Sequence, residues 1–480
     1  MMKKQVLSED WLSFWLGLVI FLFALGVLVG LDLLGWGIKT SVWTDISKSL
    51  SPVSKNYSGI SGILSVLITY LFMLVIVGIG NKLLGGDLKK FFIGFTFVFF
   101  ISFLCWLAGH WAWIAATKDE WAKFGLSWSL NLTGEAGFII ALIVGLIVGN
   151  FFPKFSDLIK EAIKPELYIK TAIVIMGAGL GLKAAEKAGL ASTIMFVGLC
   201  AIVCAYLIYW ALVYFIARRF FRFSREWAAP LASGISICGV SAAIATGGAI
   251  RARPIIPIMV SSLVVVFAVV ELLVLPFLAQ TFLWNEPLVA GAWMGLVVKT
   301  DGAAIASGAI TDGLIRAKAM AMEGVKYQEG WILMTSTTVK VFIDVFIGIW
   351  AFILAIVWAA KIEKRKAVDK LRASEIWQRF PKFVIGYMLT FILFLAVCLS
   401  EPKIIDSAKK VTDEADIFRK LFFVFTFFTI GVVSNFKKLW EEGIGKLALI
   451  YILCLFGFII WIGLFISWLF FSGAKPPLMP

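Results

Sequence analysis

Ser233-Gly-Ile-Ser-Ile-Cys-Gly-Val-Ser-Ala-Ala-Ile-Ala-Thr-Gly-Gly248 lies in the middle of a very apolar chain, yet it is built from small and hydroxyl-bearing residues. Leu, Phe and Trp are absent from it, so it is poorly suited to face lipid tails. Gly234, Gly239, Gly247 and Gly248 let a backbone bend or let two helices approach closely. Ser233, Ser236, Cys238, Ser241 and Thr246 put polar groups at what should be membrane depth. Irregular backbone is tolerated there only when it is buried in protein or lines a wet cavity. The stretch reads as a broken helix at a transport site. The competing reading is a tight helix crossing rich in small residues.

The rest of the chain sets the context. Of 480 residues, 61% are hydrophobic and 15% charged. Soluble domains hold about 25% charged residues, so the expected fold class is an all-α polytopic membrane protein. The net charge of +14 comes from Lys and Arg in short loops between apolar runs, which is a topology signal and gives no case for nucleic acid. The six cysteines show no paired zinc-type spacing, and a single histidine, His110, argues against an intramembrane metalloenzyme. No cofactor and no metal are expected.

Apolar windows of about 20 residues fall near 11–30, 59–80, 91–113, 135–152, 167–182, 188–216, 228–250, 254–280, 287–312, 329–360, 380–400, 417–434 and 443–473. That gives about 13 transmembrane helices. Lys3 and Lys4, Lys82, Lys89 and Lys90, the Arg218–Arg225 cluster, the basic loop 361–379, and Lys437 with Lys438 all fall on one side by alternation. That side is expected to be cytoplasmic, with the N-terminus inside. Arg251 and Arg253 break the pattern. Either the stretch before them is re-entrant, or the pair has another task.

Ile175–Gly189 resembles Thr429–Gly443, with Gly177 matching Gly431, Lys183 matching Lys437 and Gly189 matching Gly443 at one offset. Alternation gives the two copies opposite directions, the layout of an inverted repeat with broken helices near the midplane. The expected organisation is N-terminal helices over 1–134 and a transporter domain over 135–473, with halves of about 135–280 and 287–473. The Ser233–Gly248 stretch finds no partner by this offset.

Polar groups at membrane depth mark candidate sites. Lys299, Thr300 and Asp301 sit together in Gly291–Gly308, and an interruption there would let Lys299 and Asp301 face one cavity. Lys340 and Asp344 follow four apart, and Glu271 stands alone in an apolar run as a further proton-coupling candidate. For an anion, free N–H groups of Gly239, Val240 and Ser241 at a half-helix start would act as donors. Ser236, Cys238, Thr300 and Lys299 or Lys340 would complete the cage. Asp301 and Asp344 are the candidate coupling residues, and they would instead be cation ligands in a cation–proton antiporter.

Ser236-Ile-Cys-Gly-Val-Ser-Ala242, followed by Ile250-Arg-Ala-Arg253, resembles the signature of the putative sulfate exporter family of bacterial inner-membrane proteins. The Ile175–Lys183 segment, Val339-Lys340 and Ile430–Leu439 are similar to that family in the same order. The likeness runs over roughly 135–473 and is weak over the first 134 residues. Two positions depart from it. Thr300-Asp301 stands where the family has His-Asp, and an Arg expected after Val-Lys is replaced within Phe342-Ile-Asp344. The resemblance implies a multi-pass inner-membrane secondary transporter, not an enzyme, for a small anion such as sulfate, a sulfonate or a carboxylate. Its expected partners are that anion and the lipid bilayer, in a chain that could assemble as a homodimer.

Overall fold

The computed structural model describes residues 7–358, 381–434 and 445–479, apart from 118, 131 and 254. Within them the protein is helical except for one short antiparallel hairpin, β1 (Ile38–Thr40) with β2 (Leu50–Pro52). Lys3, Lys4, the loop 361–379, Lys437, Lys438 and Gly443 lie outside the described residues.

The helices are α1 (Glu9–Ala24), α2 (Gly62–Leu83), α3 (Leu88–Gly109), α4 (Ala136–Phe151), α5 (Pro165–Glu186), α6 (Ala188–Arg219), α7 (Arg225–Ser236) and α8 (Gly239–Ala249). They continue as α9 (Ile255–Phe282), α10 (Pro287–Val297), α11 (Asp301–Glu323), α12 (Trp331–Val357), α13 (Lys382–Ser400), α14 (Ile405–Val433) and α15 (Gly445–Phe471). Starts follow local chemistry. Ser8, Ser61 and Asp87 accept first-turn N–H groups, and Pro165 and Pro287 occupy first positions where a missing N–H costs nothing. Among the described residues nine helices are long and apolar enough to cross a membrane. The chain is an all-α polytopic membrane protein.

Two compact units emerge. The first is Met1–Ser192, Arg316–Lys326 and Lys382–Ser434; the second is Thr193–Ile315, Tyr327–Pro381 and Asn435–Pro480. In the first unit the glycines matched by the internal repeat both serve close helix contacts. A Cβ on Gly177 of α5 would lie 2.5 Å from the Tyr387 carbonyl of α13, and one on Gly431 of α14 would lie 2.5 Å from the Leu142 carbonyl of α4. Backbones approach there only because the side chain is hydrogen.

In the second unit the windows 228–250 and 287–312 each hold two helices that fold back on themselves. In the first hairpin, Glu226 of α7 pairs with Arg253 just beyond α8 at 3.2 Å, and Thr246 donates to Ser233 at 2.7 Å. In the second, Gly291 of α10 and Gly308 of α11 both press on the Ile332–Ser336 turn of α12. Asp312, farther along α11, accepts the Gly330 and Ile332 N–H groups at 3.0 and 3.1 Å. The chain therefore goes in along α10 and returns along α11. Among the described residues, these two of the thirteen windows therefore hold helical hairpins and not single straight helices, their interruptions being turning points. The first reading of Arg251 and Arg253 holds: the hairpin brings them back to the end where Arg225 begins α7.

The hairpin mouths stand at opposite ends of α9, whose 28 residues measure about 42 Å at a helical rise of about 1.5 Å per residue. The first hairpin ends just before α9 begins, and the second begins just after α9 ends. Each hairpin is followed by a long helix, α9 or α12, so the second unit carries its own hairpin-plus-helix repeat, entered from opposite ends.

Candidate functional site

The tips of the two hairpins meet. Ile237 leaves helical geometry (φ −110°, ψ −96°) and Cys238 is extended, so α8 restarts at Gly239. Val298 is extended likewise, and α11 restarts at Asp301. The Gly239 N–H donates to the Lys299 carbonyl at 2.5 Å, joining the two interruptions directly. Glycine is required at this contact: a Cβ there would fall 1.9 Å from Val264 Cγ1 on α9.

Each tip leaves carbonyl groups at the end of a half-helix, where the helix dipole is negative. Lys340 of α12 answers both. Its ammonium donates to the Ile237 carbonyl at 2.9 Å and to the Val298 carbonyl at 3.2 Å. It also lies 3.8 Å from Asp301 Oδ1, with both side chains at most 3% exposed. Asp301, Asp344 and the Cys238 thiol each offer a ligand atom, and these atoms lie within 4.8 Å of one another, all buried. The Lys340 ammonium thus lies among two carboxylates and a thiol, all buried. Buried charges persist only when they are paired or share a proton or a cation.

The structure brings together Cys238, Gly239, Asp301, Lys340 and Asp344 as expected. Thr300 has a different task from the one expected of it: its hydroxyl accepts the Ala303 N–H at 3.2 Å and caps α11. Lys299 does not join the cage. Its ammonium donates to the Leu296 carbonyl at 2.9 Å and sits 4.7 Å from the Tyr209 ring centre, because α10 ends in its own exposed carbonyls and an aromatic face beside them. Gly239 was expected to offer its N–H to an anion, but that N–H is committed to Lys299. Val240 and Ser241 keep first-turn N–H groups with no preceding helical carbonyl to bond, and both residues are half-buried. The Ser236 hydroxyl is buried without a partner.

Two further residues hold the second hairpin. Glu271 of α9, singled out above as a proton-coupling candidate, accepts the Lys299 N–H at 2.9 Å and so holds the second tip from another side. Asp312 fixes the mouth of the second hairpin through two N–H groups, a role foreshadowed only by Gly330 ahead of an apolar run. A cavity of about 230 Å³ in the first unit is lined in part by Lys39, His110, Asp416 and Lys420, and none of the expected site residues reaches it.

The fold and this cluster define a polytopic membrane protein in which two re-entrant helical hairpins meet tip to tip around a buried lysine. The chain belongs to the family described as conserved hypothetical protein 698, which matches residues 93–451 and is the family its Ser236–Ala242 and Ile250–Arg253 motifs resemble. A UPF0324 membrane protein of Nitrosomonas europaea is 43% identical over 479 residues, 98% of this chain and 97% of that protein. Its alignment takes in the N-terminal helices that the motifs alone match weakly. A UPF0324 membrane protein of Rhodopirellula baltica is 27% identical, covering 87% of this chain and 68% of its own length. An uncharacterized protein of Archaeoglobus fulgidus is 48% identical over 30% of this chain and 88% of its own length. No solved structure matches.

Proposed function

We propose that the protein is a secondary transporter that carries a small anion and protons together across a bacterial inner membrane, with its N-terminus in the cytoplasm. The observation that carries this reading is Lys340, fully buried, holding the carbonyl ends of two hairpins whose mouths stand at opposite ends of α9. Half-helices that end inside a membrane protein are the usual means of presenting dipole ends to an ion. Each hairpin gives the cluster a door to its own end of α9.

The chemistry follows from charge. An anion placed at the open Val240 and Ser241 N–H groups gains the positive end of α8 and the Lys340 ammonium. Asp301 and Asp344 flank the same site and repel an anion when charged, and on this reading protons carried with the anion offset that repulsion. Anion and proton therefore move on the same carrier. The positive-inside rule supports the orientation, since the first hairpin returns Arg251 and Arg253 to the end that bears Arg218, Arg219 and Arg222. The role is transport and not enzymatic catalysis.

A second reading is favoured by one specific observation, the buried ligand atoms of Cys238, Asp301 and Asp344 within 4.8 Å of one another. On that reading a small cation and protons compete for Asp301 and Asp344 in an antiporter. Proteoliposome flux separates the two. Sulfate, sulfite, sulfonates and carboxylates are offered with and without an inward proton gradient. The proposal expects gradient-stimulated anion uptake that disappears in Lys340→Met and Asp301→Asn. Proton efflux driven by sodium, lithium or potassium, with no anion uptake, would establish the antiporter instead.

A further inference from the structure

We propose that Glu271 is a second proton-binding residue, separate from the Asp301–Asp344 cluster, and that its charge state sets how firmly the two hairpin tips are joined. Glu271 is the sole charged residue in the 28 residues of α9 and is fully buried. Its two oxygens are in unlike situations. Oε2 accepts the Lys299 N–H at 2.9 Å, while Oε1 has no hydrogen-bond partner. A buried carboxylate oxygen with nothing to bond is costly, and a proton on that oxygen removes the charge that makes it so.

Two lysines face it without pairing with it. Lys299, the nearest lysine along the chain, directs its ammonium to the Leu296 carbonyl and the Tyr209 ring, and Lys340 is held by the tip carbonyls. Both positive charges act on Glu271 through space and favour its ionised form, while burial and the open Oε1 favour the proton. Tyr451 of α15 carries a fully buried hydroxyl with no hydrogen-bond partner. The Tyr209 hydroxyl is buried and unpartnered as well. Glu271 is therefore a carboxyl group with one oxygen bonded and one oxygen open.

Its position gives the proton a mechanical consequence. The Val298–Lys299 peptide donates its N–H to Glu271 and offers its carbonyl to the Lys340 ammonium, and the carbonyl of the next peptide accepts the Gly239 N–H. One peptide unit thus links the carboxyl group to the ammonium that also holds the Ile237 carbonyl of the opposite hairpin. Hydrogen bonds to an ionised acceptor are roughly twice as strong as those between neutral groups. An ionised Glu271 polarises the Val298–Lys299 peptide and strengthens the bond from Lys340 to its carbonyl, which joins the tips; a protonated one weakens both bonds in series. Glu271 acts through Lys299 and is a positioning residue for the transport reading, on which the mechanical part rests. The proton site itself does not depend on that reading.

The test begins with infrared difference spectra of lipid-embedded protein between acidic and alkaline pH. Wild type is expected to show a protonated-carboxyl band that Glu271→Gln removes and Asp301→Asn keeps. Flux is then followed against pH. Glu271→Gln, which still accepts the Lys299 N–H, is expected to flatten the pH profile while leaving the substrate concentration at half-maximal rate unchanged. Glu271→Asp, one methylene short of Lys299, keeps the band but loses flux. Identical spectra for wild type and Glu271→Gln would overturn the proton site whether or not any anion is transported. Spectra that differ with superimposable pH profiles would overturn the link to the tips.

Discussion

The two hairpins share a plan and differ in how they are held. The second is locked into its surroundings: every residue of α10 is buried, Gly291, Gly295 and Gly308 press against α12, and buried Asp312 anchors its mouth. The first is buried along α7 from Ala228 to Ser236 but is held less tightly at its mouth and on the outer face of α8. At its mouth the Arg253 side chain is 65% exposed, and an ion pair in that setting contributes little. A Cβ added at Gly248 would meet nothing within 4 Å, and Ile244 is exposed. The tips differ too, since Ile237-Cys-Gly239 is uncharged and Lys299-Thr-Asp301 is not. On the transport reading, the second hairpin would serve as a fixed, charged anchor and the first as the piece that moves against it.

The sharpest way to break this picture is Lys340→Met. It leaves two carbonyl ends and Asp301 without their shared cation, and removing one partner of a buried pair costs about 3–5 kcal/mol. Thermal unfolding in detergent should show a large loss of stability, and flux should vanish. Next comes Gly239→Ala, which drives a methyl group into Val264. Overpacking of this kind costs about 1–3 kcal/mol, and Val264→Ala should recover much of it in the double variant. The smallest effect comes from comparing one glycine in each hairpin. Gly308→Ala meets Ser336 Cβ at 2.6 Å and should destabilise, whereas Gly248→Ala is free of contacts and should be neutral or stabilise by about 0.5–1 kcal/mol through helix propensity. Equal effects at the two glycines would erase the distinction between anchor and moving piece.

Much of the site was legible because small and ionisable residues are conspicuous at membrane depth. The interruption beside Cys238 and Gly239, the one at Thr300-Asp301, and Lys340 with Asp344 all stand out from composition alone. The direction of the chain after each interruption was not legible, because a hairpin of two short arms fills the same apolar window as one crossing helix. Arg251 and Arg253 carried the only signal of the return. The inward turn of Asp301 and the outward turn of Lys299 depend on extended geometry at Val298, which spacing does not fix.

The partner of the first hairpin escaped for a topological reason. Residues 135–280 run α4, α5, α6, first hairpin, α9, whereas 287–473 run second hairpin, α12, α13, α14, α15. The same kinds of element recur in rotated order, so the offset that matches Gly177 to Gly431 runs past residue 480 when carried forward from Cys238. Gly177 and Gly431 could be matched because each sits where two backbones touch. A different offset carries the correspondence: Ala242-Ala-Ile-Ala-Thr-Gly247 of the first hairpin matches Ala303-Ala-Ile-Ala-Ser-Gly308 of the second at five of six positions.

The re-entrant fold underlies every other statement about the site, and labelling from the two sides of the membrane tests it most directly. Single cysteines replace Arg222, Arg251 and Gln328 in a background stripped of reactive thiols, and an impermeant thiol reagent is applied to one side at a time. Arg222→Cys and Arg251→Cys are predicted to react from the same side and Gln328→Cys from the other. Reaction of the first two from opposite sides would mean that the Ser233–Gly248 stretch crosses the membrane, and the meeting of two hairpin tips at Lys340 would be contradicted.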